Sequence, residues 1–317
     1  MMSYRMTRRE VMAGMAVAGL SGHAGRVFAA GKGFFGRHDL AIGVQLYTVN
    51  DAARADLAAT FAKLAGIGYR AVELAGFLGK APAEIRAAAD GAGLTIRCCH
   101  IPAQAGRDEV SLSGDLARLA GDLKVLGVDR VVMPMFALPP TARPLKPGED
   151  FIGYMATIAA GFTADDWKAN AAFLNEAGAA LQREGIALGY HNHNPEFAPI
   201  GKTNGFEILM RETEPHIFVE MDAGWVMAAG VDPIALLGRY PGRFRMMHVK
   251  DIKRSTRRNF AFRQDPTEVG RGMLPWRRLL PAAYAAGVRD FFVEQEPPFA
   301  IDRFEALAIS QHYLAGL

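Results

Sequence analysis

Residues 163–191 read TADDWKANAAFLNEAGAALQREGIALGYH, and this stretch decides the fold. Its apolar residues recur at helical spacing as far as Gly185, which is typical of a helix end, and a short aliphatic run follows at once. The same alternation continues along the chain, with eight strand-like runs at 40–47, 69–74, 94–99, 129–134, 186–191, 217–222, 245–250 and 290–295. Eight strands that are each followed by a helix predict an α/β protein, a single-domain (β/α)8 TIM barrel over residues 38–317.

Composition excludes several classes of protein. Half of the 317 residues are hydrophobic and 22% are charged, which is typical of a soluble globular enzyme and not of a disordered, collagen-like or disulfide-scaffold protein. The first thirty residues hold four arginines and one glutamate, and the remainder carries 32 basic and 32 acidic side chains. Nucleic-acid binders usually carry a surplus of positive charge, so we expect no nucleic-acid partner.

The N-terminal segment is predicted to be an export signal. Residues 7–30 begin with an arginine pair, continue as a modest apolar stretch and end in small residues, which resembles a twin-arginine signal peptide over residues 1–30. The resemblance implies a periplasmic mature protein. The apolar run at 11–20 is too short to cross a bilayer and no later run reaches about 18 residues, so no stable membrane anchor is expected.

Polar residues mark the ends of the last four predicted strands, where the active site of a barrel lies. They come in pairs two residues apart: His191 and His193, Glu220 and Asp222, His248 and Lys250, and Glu294 and Glu296. Because side chains of a strand alternate between its faces, both members of a pair share the inward face if the first member does. Imidazole and carboxylate groups together suit Mn²⁺, Co²⁺, Zn²⁺ or Fe²⁺, so the pattern predicts one catalytic divalent metal site.

Several motifs also carry a family resemblance: GVQLYTVND (43–51), YHNHNPEF (190–197), VEMDAGWVMAAGVDP (219–233), MMHVKD (246–251) and FFVEQEPP (291–298). In this order they resemble the sugar phosphate isomerase/epimerase family with its xylose isomerase-like barrel. The resemblance implies one divalent metal held by Glu, Asp, His and Glu from strands five to eight. Asp222, His248 and Glu294 match the last three ligands, and His191 stands at the position of the first, which implies that it is the fourth ligand.

The departure at His191 affects the implied reaction. The resemblance implies a sugar isomerase or epimerase that moves a proton α to a carbonyl, with two metal-bound glutamates alternating as base and acid. In this sequence Glu294 is present but the other of the two glutamates is replaced by His191. His193, Lys250 or His100 would therefore supply the second proton relay.

The alternative is enolisation followed by β-elimination, as in relatives that act on keto-inositols and 3-keto-glycosides. In that case the protein is a lyase or dehydratase. Lys250 is open to two interpretations, a catalytic amine or an ion-pair partner of Glu220 or Glu296.

Other positions are expected to shape the pocket of a small-molecule sugar substrate. The expected substrate contacts are His100, Trp225, Glu73, Gln45 and Tyr47. His100 could equally have a structural role, and Trp225 replaces a histidine of many relatives and is expected to stack on a sugar face. Insertions at 136–162 and 252–275 are candidate lids or substrate walls, and the second carries six cationic side chains that form either a solvated loop or a clamp.

Two further functions are alternatives to a sugar-converting enzyme. Apurinic endonucleases share this barrel but need additional His and Glu ligands for three zinc ions and a basic face for DNA. A sugar-binding protein with a degenerate metal site would explain the loss of the strand-five glutamate. A homo-oligomer is compatible with the sequence.

Overall fold

Eight parallel strands close into a barrel in the computed structural model, which describes residues 33–104 and 110–317. The strands, β1 to β8 in chain order, are Ile42–Gln45, Ala71–Ala75, Thr95–His100, Arg130–Met133, Ala187–His191, Phe218–Asp222, Phe244–Val249 and Asp290–Val293. Each strand pairs with its neighbours along the chain, and β1 pairs with β8 to close the ring. The predicted (β/α)8 barrel is therefore confirmed, with all eight strands inside or within one residue of the predicted runs.

Helices connect the strands on the outside of the barrel. In chain order, α1 to α12 are Phe34–Arg37, Asn50–Ala55, Leu57–Ile67, Pro82–Ala92, Leu116–Leu126, Phe151–Ala160, Ala164–Arg183, Gly205–Glu212, Ala223–Ala228, Pro233–Arg239, Trp276–Ala286 and Arg303–Ala315. The longest, α7, begins at the quoted stretch: Thr163 and Asp166 form the expected capping box, because each side chain accepts a hydrogen bond from the other's backbone amide. None of the helices in the described ranges is long and apolar enough to span a membrane.

The two insertions differ in structure. Residues 136–162 are not a continuous loop, because α6 occupies their second half. Residues 252–275 contain only a short antiparallel ribbon, in which Asp251–Ile252 pairs with Pro266–Thr267. The predicted export signal at 1–30 lies outside the described residues and stays a prediction.

An apolar layer fills the barrel below the site. Six buried side chains from six strands form it: Ala71, Cys98, Val132, Phe218, Met246 and Phe292. The two large rings fit because glycines face them: a Cβ at Gly189 would lie 2.3 Å from the ring of Phe218, and one at Gly43 would lie 2.5 Å from that of Phe292. The next inward-facing residues along the strands lie directly on this packed layer.

Candidate active site

The polar residues of the site lie directly above the apolar layer, because inward-facing positions recur every second residue along a strand. Phe218 is followed by Glu220 and Asp222, Met246 by His248 and Lys250, and Phe292 by Glu294 and Glu296. On the opposite strands Gly43 is followed by Gln45, Ala71 by Glu73, and Cys98 by His100. The barrel therefore presents charged, imidazole and amide side chains from six strands to one small volume.

Glu220 is the centre of one part of this cluster, which we call the inner group: His100, His191, Glu220 and His248. Its Oε2 atom lies 2.8 Å from His100 Nε2, 3.0 Å from His191 Nδ1 and 3.2 Å from His248 Nε2. Glu220 is fully buried, yet the three imidazoles hold the pKa of its carboxyl well below its ordinary value against the opposing effect of burial. Sequence reasoning had placed Glu220 at a strand end but had not assigned it to the site.

Glu73 connects β1 and β2 to the same cluster. Its Oε2 atom accepts a hydrogen bond of 2.8 Å from Gln45 Nε2 and lies 2.7 Å from His248 Nε2. Burial, and then the nearby charge of Glu220, raise the pKa of Glu73. Both Glu73 and Gln45 are completely buried and do not reach the cavity wall, so the structure places these two expected substrate contacts below the substrate space.

A second set of donors consists of Asp222, His248 and Glu294, which we call the outer group, and of these Glu294 lines the cavity. His248 Nδ1 lies 3.0 Å from Glu294 Oε2 and 3.7 Å from Asp222 Oδ2. The structure thus brings three of the four expected ligands together. The fourth, His191, belongs to the inner group, and its Nε2 atom lies 3.7 Å from Asp222 Oδ2.

The donors of the outer group fit a divalent cation. Metal bonds of about 2.0–2.2 Å hold neighbouring ligand atoms about 3.0–3.5 Å apart, close to the separations seen around His248 Nδ1. Asp222 uses Oδ1 to cap α9 at Trp225 N, at 2.8 Å, which leaves its buried Oδ2 facing His248 Nδ1 at 3.7 Å and the Lys250 ammonium at 3.0 Å. Two buried carboxylates beside an imidazole nitrogen are a donor set that a divalent cation accepts.

Lys250 also contacts the outer group. Its ammonium lies 2.7 Å from Glu294 Oε2 and 3.0 Å from Asp222 Oδ2, and it forms an ion pair with Glu296. Burial alone would lower the pKa of Lys250, but Asp222 and Glu294 hold it well above its ordinary value. Of the two interpretations of Lys250, the ion pair is present, with Glu296 rather than Glu220 as the partner.

The two histidines of the HNH motif differ from His248. Burial and the neighbouring His248 lower the pKa of His191 to about 4. Burial, followed by His191 and Lys250, lowers the pKa of His193 well below its ordinary value. His248 behaves in the opposite way: burial alone would lower its pKa, but Glu220 and Glu294 raise it.

A cavity of about 630 Å³ opens above these groups at the carboxyl ends of the strands. Six of the expected site residues line it: Tyr47, His100, His191, His193, Trp225 and Glu294. Trp225 is only 2% exposed, and its Nε1 donates a hydrogen bond of 3.3 Å to Glu296 Oε1, so part of its edge is already occupied.

The insertions supply the rim of the cavity. Phe151 and Ile152 come from α6, whereas Phe262, Arg263 and Gln264 come from the second insertion. Of the six cationic side chains expected as a clamp, Arg263 alone lines the cavity. The sequence had identified the insertion but not Phe262, because only the folded loop shows which of its side chains turns inward.

Comparison with known proteins assigns the family. The model of the xylose isomerase-like TIM barrel family matches residues 61–306, so the chain belongs to that family. A solved sugar phosphate isomerase/epimerase from Parabacteroides distasonis superimposes with a TM-score of 0.67 at 23% identity, covering 86% of this chain and 96% of the other. At this identity the likeness establishes the fold.

Curated relatives match shorter parts of the chain. The inosose dehydratase of Clostridium beijerinckii is 31% identical over 93 residues, which are 29% of this chain and 30% of that protein. The inosose dehydratase of Geobacillus thermodenitrificans is 27% identical over 167 residues, which are 48% of this chain and 55% of that protein. The chain thus spans between about a third and about half of the length of these relatives.

Proposed function

We propose that the protein is a divalent-metal-dependent enzyme that removes a proton α to the carbonyl of a sugar. The observation that carries the proposal is the outer group, in which Asp222, His248 and Glu294 converge below a cavity large enough for a sugar. A divalent ion bound there, such as Mn²⁺ or Co²⁺, would supply Lewis-acid polarisation of the carbonyl and so acidify the neighbouring C–H bond.

His193 is the best-placed base among the residues of the cavity wall. It lines the cavity, and burial, followed by His191 and Lys250, holds the pKa of its imidazole well below the ordinary value. A neutral imidazole at the cavity wall can accept a proton from a bound substrate. We assign the α-proton abstraction to His193 and the positioning of the carbonyl to the outer group.

The second proton relay is assigned to the pair Lys250 and Glu296, which both contact Trp225. Glu296 lines the cavity, and Lys250 is held by Glu296 and Glu294 as a donor of protons rather than an acceptor. Donor and acceptor are therefore chemically unlike, in contrast to the two glutamates of a symmetric epimerase. Unlike groups suit a reaction in which a proton leaves carbon and another is delivered to a departing oxygen.

Two outcomes of the same α-deprotonation follow. Return of the proton to carbon gives isomerisation or epimerisation, whereas loss of a β-substituent gives elimination. The unlike proton relays and the similarity to inosose dehydratases both favour elimination from a keto-sugar. Isomerisation or epimerisation is the second candidate, supported by the similarity of the fold to a sugar phosphate isomerase/epimerase.

The test begins with protein stripped by EDTA and reloaded with Mn²⁺ or Co²⁺. Candidate keto-inositols, 3-keto-glucosides and ketoses are followed by NMR in D₂O, where elimination gives a conjugated enone and isomerisation gives deuterated product. We expect activity only in the reloaded protein, and a loss of about 10²-fold or more in His193→Asn. His312→Asn on α12 is the matched control. Full activity of the stripped protein, or of His193→Asn, would contradict the proposal.

We also propose that residues 1–30 direct export by the twin-arginine route. The support is the arginine pair and the small residues that follow the apolar stretch. A fusion of these residues to a fluorescent protein should reach the periplasm of a host with an intact pathway. It should remain inside when both arginines are replaced by lysine, and unchanged export of that variant would contradict the assignment.

A further inference from the structure

The cavity is larger than one sugar ring requires. A volume of about 630 Å³ corresponds to about twenty water molecules at about 30 Å³ each. A hexose has about a dozen non-hydrogen atoms, each no larger than a water molecule, and would therefore fill little more than half of this space. A substrate that fills the cavity carries a second group of comparable size.

The chemistry of the cavity differs between the strand ends and the loops. The strand ends contribute His100, His191, His193 and Glu294 to the cavity lining. The loops after β4 and β7 contribute the polar side chains of Arg263 and Gln264 and four apolar residues, Met135, Phe151, Ile152 and Phe262, which we call the mouth wall. The described residues expose five large hydrophobic side chains, and three of these, Tyr47, Phe151 and Ile152, line this cavity. Because exposed apolar side chains concentrate at one opening, the second group is expected to be apolar.

Phe262 is held in the mouth wall by a dedicated set of hydrogen bonds. Its backbone has φ +54°, a left-handed conformation that is strained for a residue other than glycine. Asn194 Oδ1 accepts a hydrogen bond of 3.0 Å from Phe262 N, and Asn194 Nδ2 donates to Asn259 Oδ1 at 2.8 Å. Asn259 Oδ1 in turn accepts from Ala261 N at 3.0 Å. The loop is thus fixed in a strained form that presents this ring to the cavity.

The mouth wall adjoins the proposed reaction centre. The ring of Phe262 lies 5.2 Å from that of His193 and 6.2 Å from that of Trp225, measured between centroids. A group attached directly to the reacting sugar would therefore reach the mouth wall without a spacer.

We propose that the mouth wall is a subsite for a flat apolar aglycone, so that the substrate is a glycoside of an apolar, preferably aromatic, alcohol. This inference rests on the proposed function. For the aglycone to leave by β-elimination, the carbonyl must be at C3 of the sugar, since the departing oxygen at C1 is then β to it. The base takes the proton from C2, a C1=C2 double bond forms as the C1–O bond breaks, and the aglycone leaves as its alcohol with one proton. No oxidant is needed, because the substrate already carries the ketone.

The experiment compares benzyl and methyl 3-oxo-glucosides of the same anomeric configuration. Their leaving alcohols have nearly equal acidity, so a difference in kcat/KM reports contact with the aglycone rather than leaving-group chemistry. We expect at least a tenfold preference for the benzyl glycoside. A tenfold preference in kcat/KM corresponds to a free-energy difference of about 1.4 kcal/mol. Burial of about 55 Å² of apolar surface supplies that difference, and a phenyl ring offers more than this area.

Variants of the mouth wall test whether the preference for the benzyl glycoside arises there. The double variant Phe151→Ala/Ile152→Ala should reduce the benzyl-to-methyl ratio towards one; both side chains are substantially exposed, at 50% and 37%, so the barrel should still fold. Leu145→Ala is the matched control, because Leu145 is an exposed apolar residue of the same insertion that does not line the cavity. This control should keep the wild-type ratio.

Three results would overturn the inference: equal kcat/KM for both glycosides, a benzyl preference that survives in the double variant, or a preference for a 3-oxo-disaccharide over the benzyl glycoside. Turnover without an aryl preference would leave the proposed function intact. If no keto-sugar reacts, the proposed function fails, and calorimetric binding of the unoxidised benzyl and methyl glucosides still tests the subsite. Equal affinities in that measurement would overturn the subsite on its own.

Discussion

Replacing Glu196 by glutamine should stabilise the protein above pH 7. Glu196 lies in the 3-10 turn Pro195–Phe197, inside the YHNHNPEF motif, and is fully buried. Its Oε1 accepts a hydrogen bond of 2.6 Å from Tyr190 Oη, whereas its Oε2 has no partner among the described residues. Burial raises the pKa of Glu196 from the ordinary 4.5 to about 7, despite the opposing hydrogen bond from Tyr190.

The sign of the effect follows from proton linkage. A pKa that is higher in the folded state than in the unfolded state means that folding binds a proton between the two values. The contribution of Glu196 to stability is therefore complete below pH 4.5, declines as the pH rises, and is lost above about pH 7. The rise from 4.5 to about 7 corresponds to about 3 kcal/mol at 1.36 kcal/mol per pH unit.

Glutamine keeps an oxygen that can accept the hydrogen bond from Tyr190 but carries no charge at any pH. Urea unfolding in EDTA at pH 5, 6, 7 and 8 should therefore show a variant that exceeds the wild type by less than about 1 kcal/mol at pH 5 and by about 3 kcal/mol at pH 8. Glu176→Gln on the exposed face of α7 is the control and should show no such trend. A difference between Glu196→Gln and the wild type that does not change with pH would refute the reasoning.

Two further predictions concern the metal and the second insertion. Asp222→Asn should weaken the binding of a divalent metal by about 100-fold or more, whereas Glu220→Gln should still retain about one ion per chain when the metal content is measured by mass spectrometry. If instead Glu220→Gln lost the ion and Asp222→Asn kept it, the ion would lie in the inner group. Asp251→Asn should lower the free energy of unfolding by about 2–4 kcal/mol, because the buried carboxylate of Asp251 accepts four hydrogen bonds. The donors are the backbone amides of Gly270, Gly272 and Leu274 and the indole of Trp276. Urea unfolding measures this loss, and an unchanged midpoint would contradict it.

Much of the barrel can be predicted from local sequence. Strands and helices alternate with clear end signals such as Gly185, and a pair like Glu220 and Asp222 must share a face because side chains alternate along a strand. Since carboxyl ends of parallel strands meet at one end of a barrel, the convergence of Asp222, His248 and Glu294 also follows from the sequence.

Other parts of the site depend on how the barrel closes. His248 lies 2.7 Å from Glu73, which is 175 positions away in the chain, and no local pattern predicts this contact. The same is true of His100 and Glu220, 120 positions apart, whose contact makes an inner group beside the expected one. Strand register and the thickness of the packed apolar layer set these distances, and both are properties of the whole ring.

The sequence by itself determined the order of the strands and the face on which each polar pair lies. Only the tertiary structure decided that His191 faces Glu220 more closely than Asp222, that Lys250 is held by Glu296, and that Phe262 turns into the cavity. The physical reason is that periodicity fixes direction within one strand, whereas separation between strands and the path of a loop come from packing and hydrogen bonds formed across the fold.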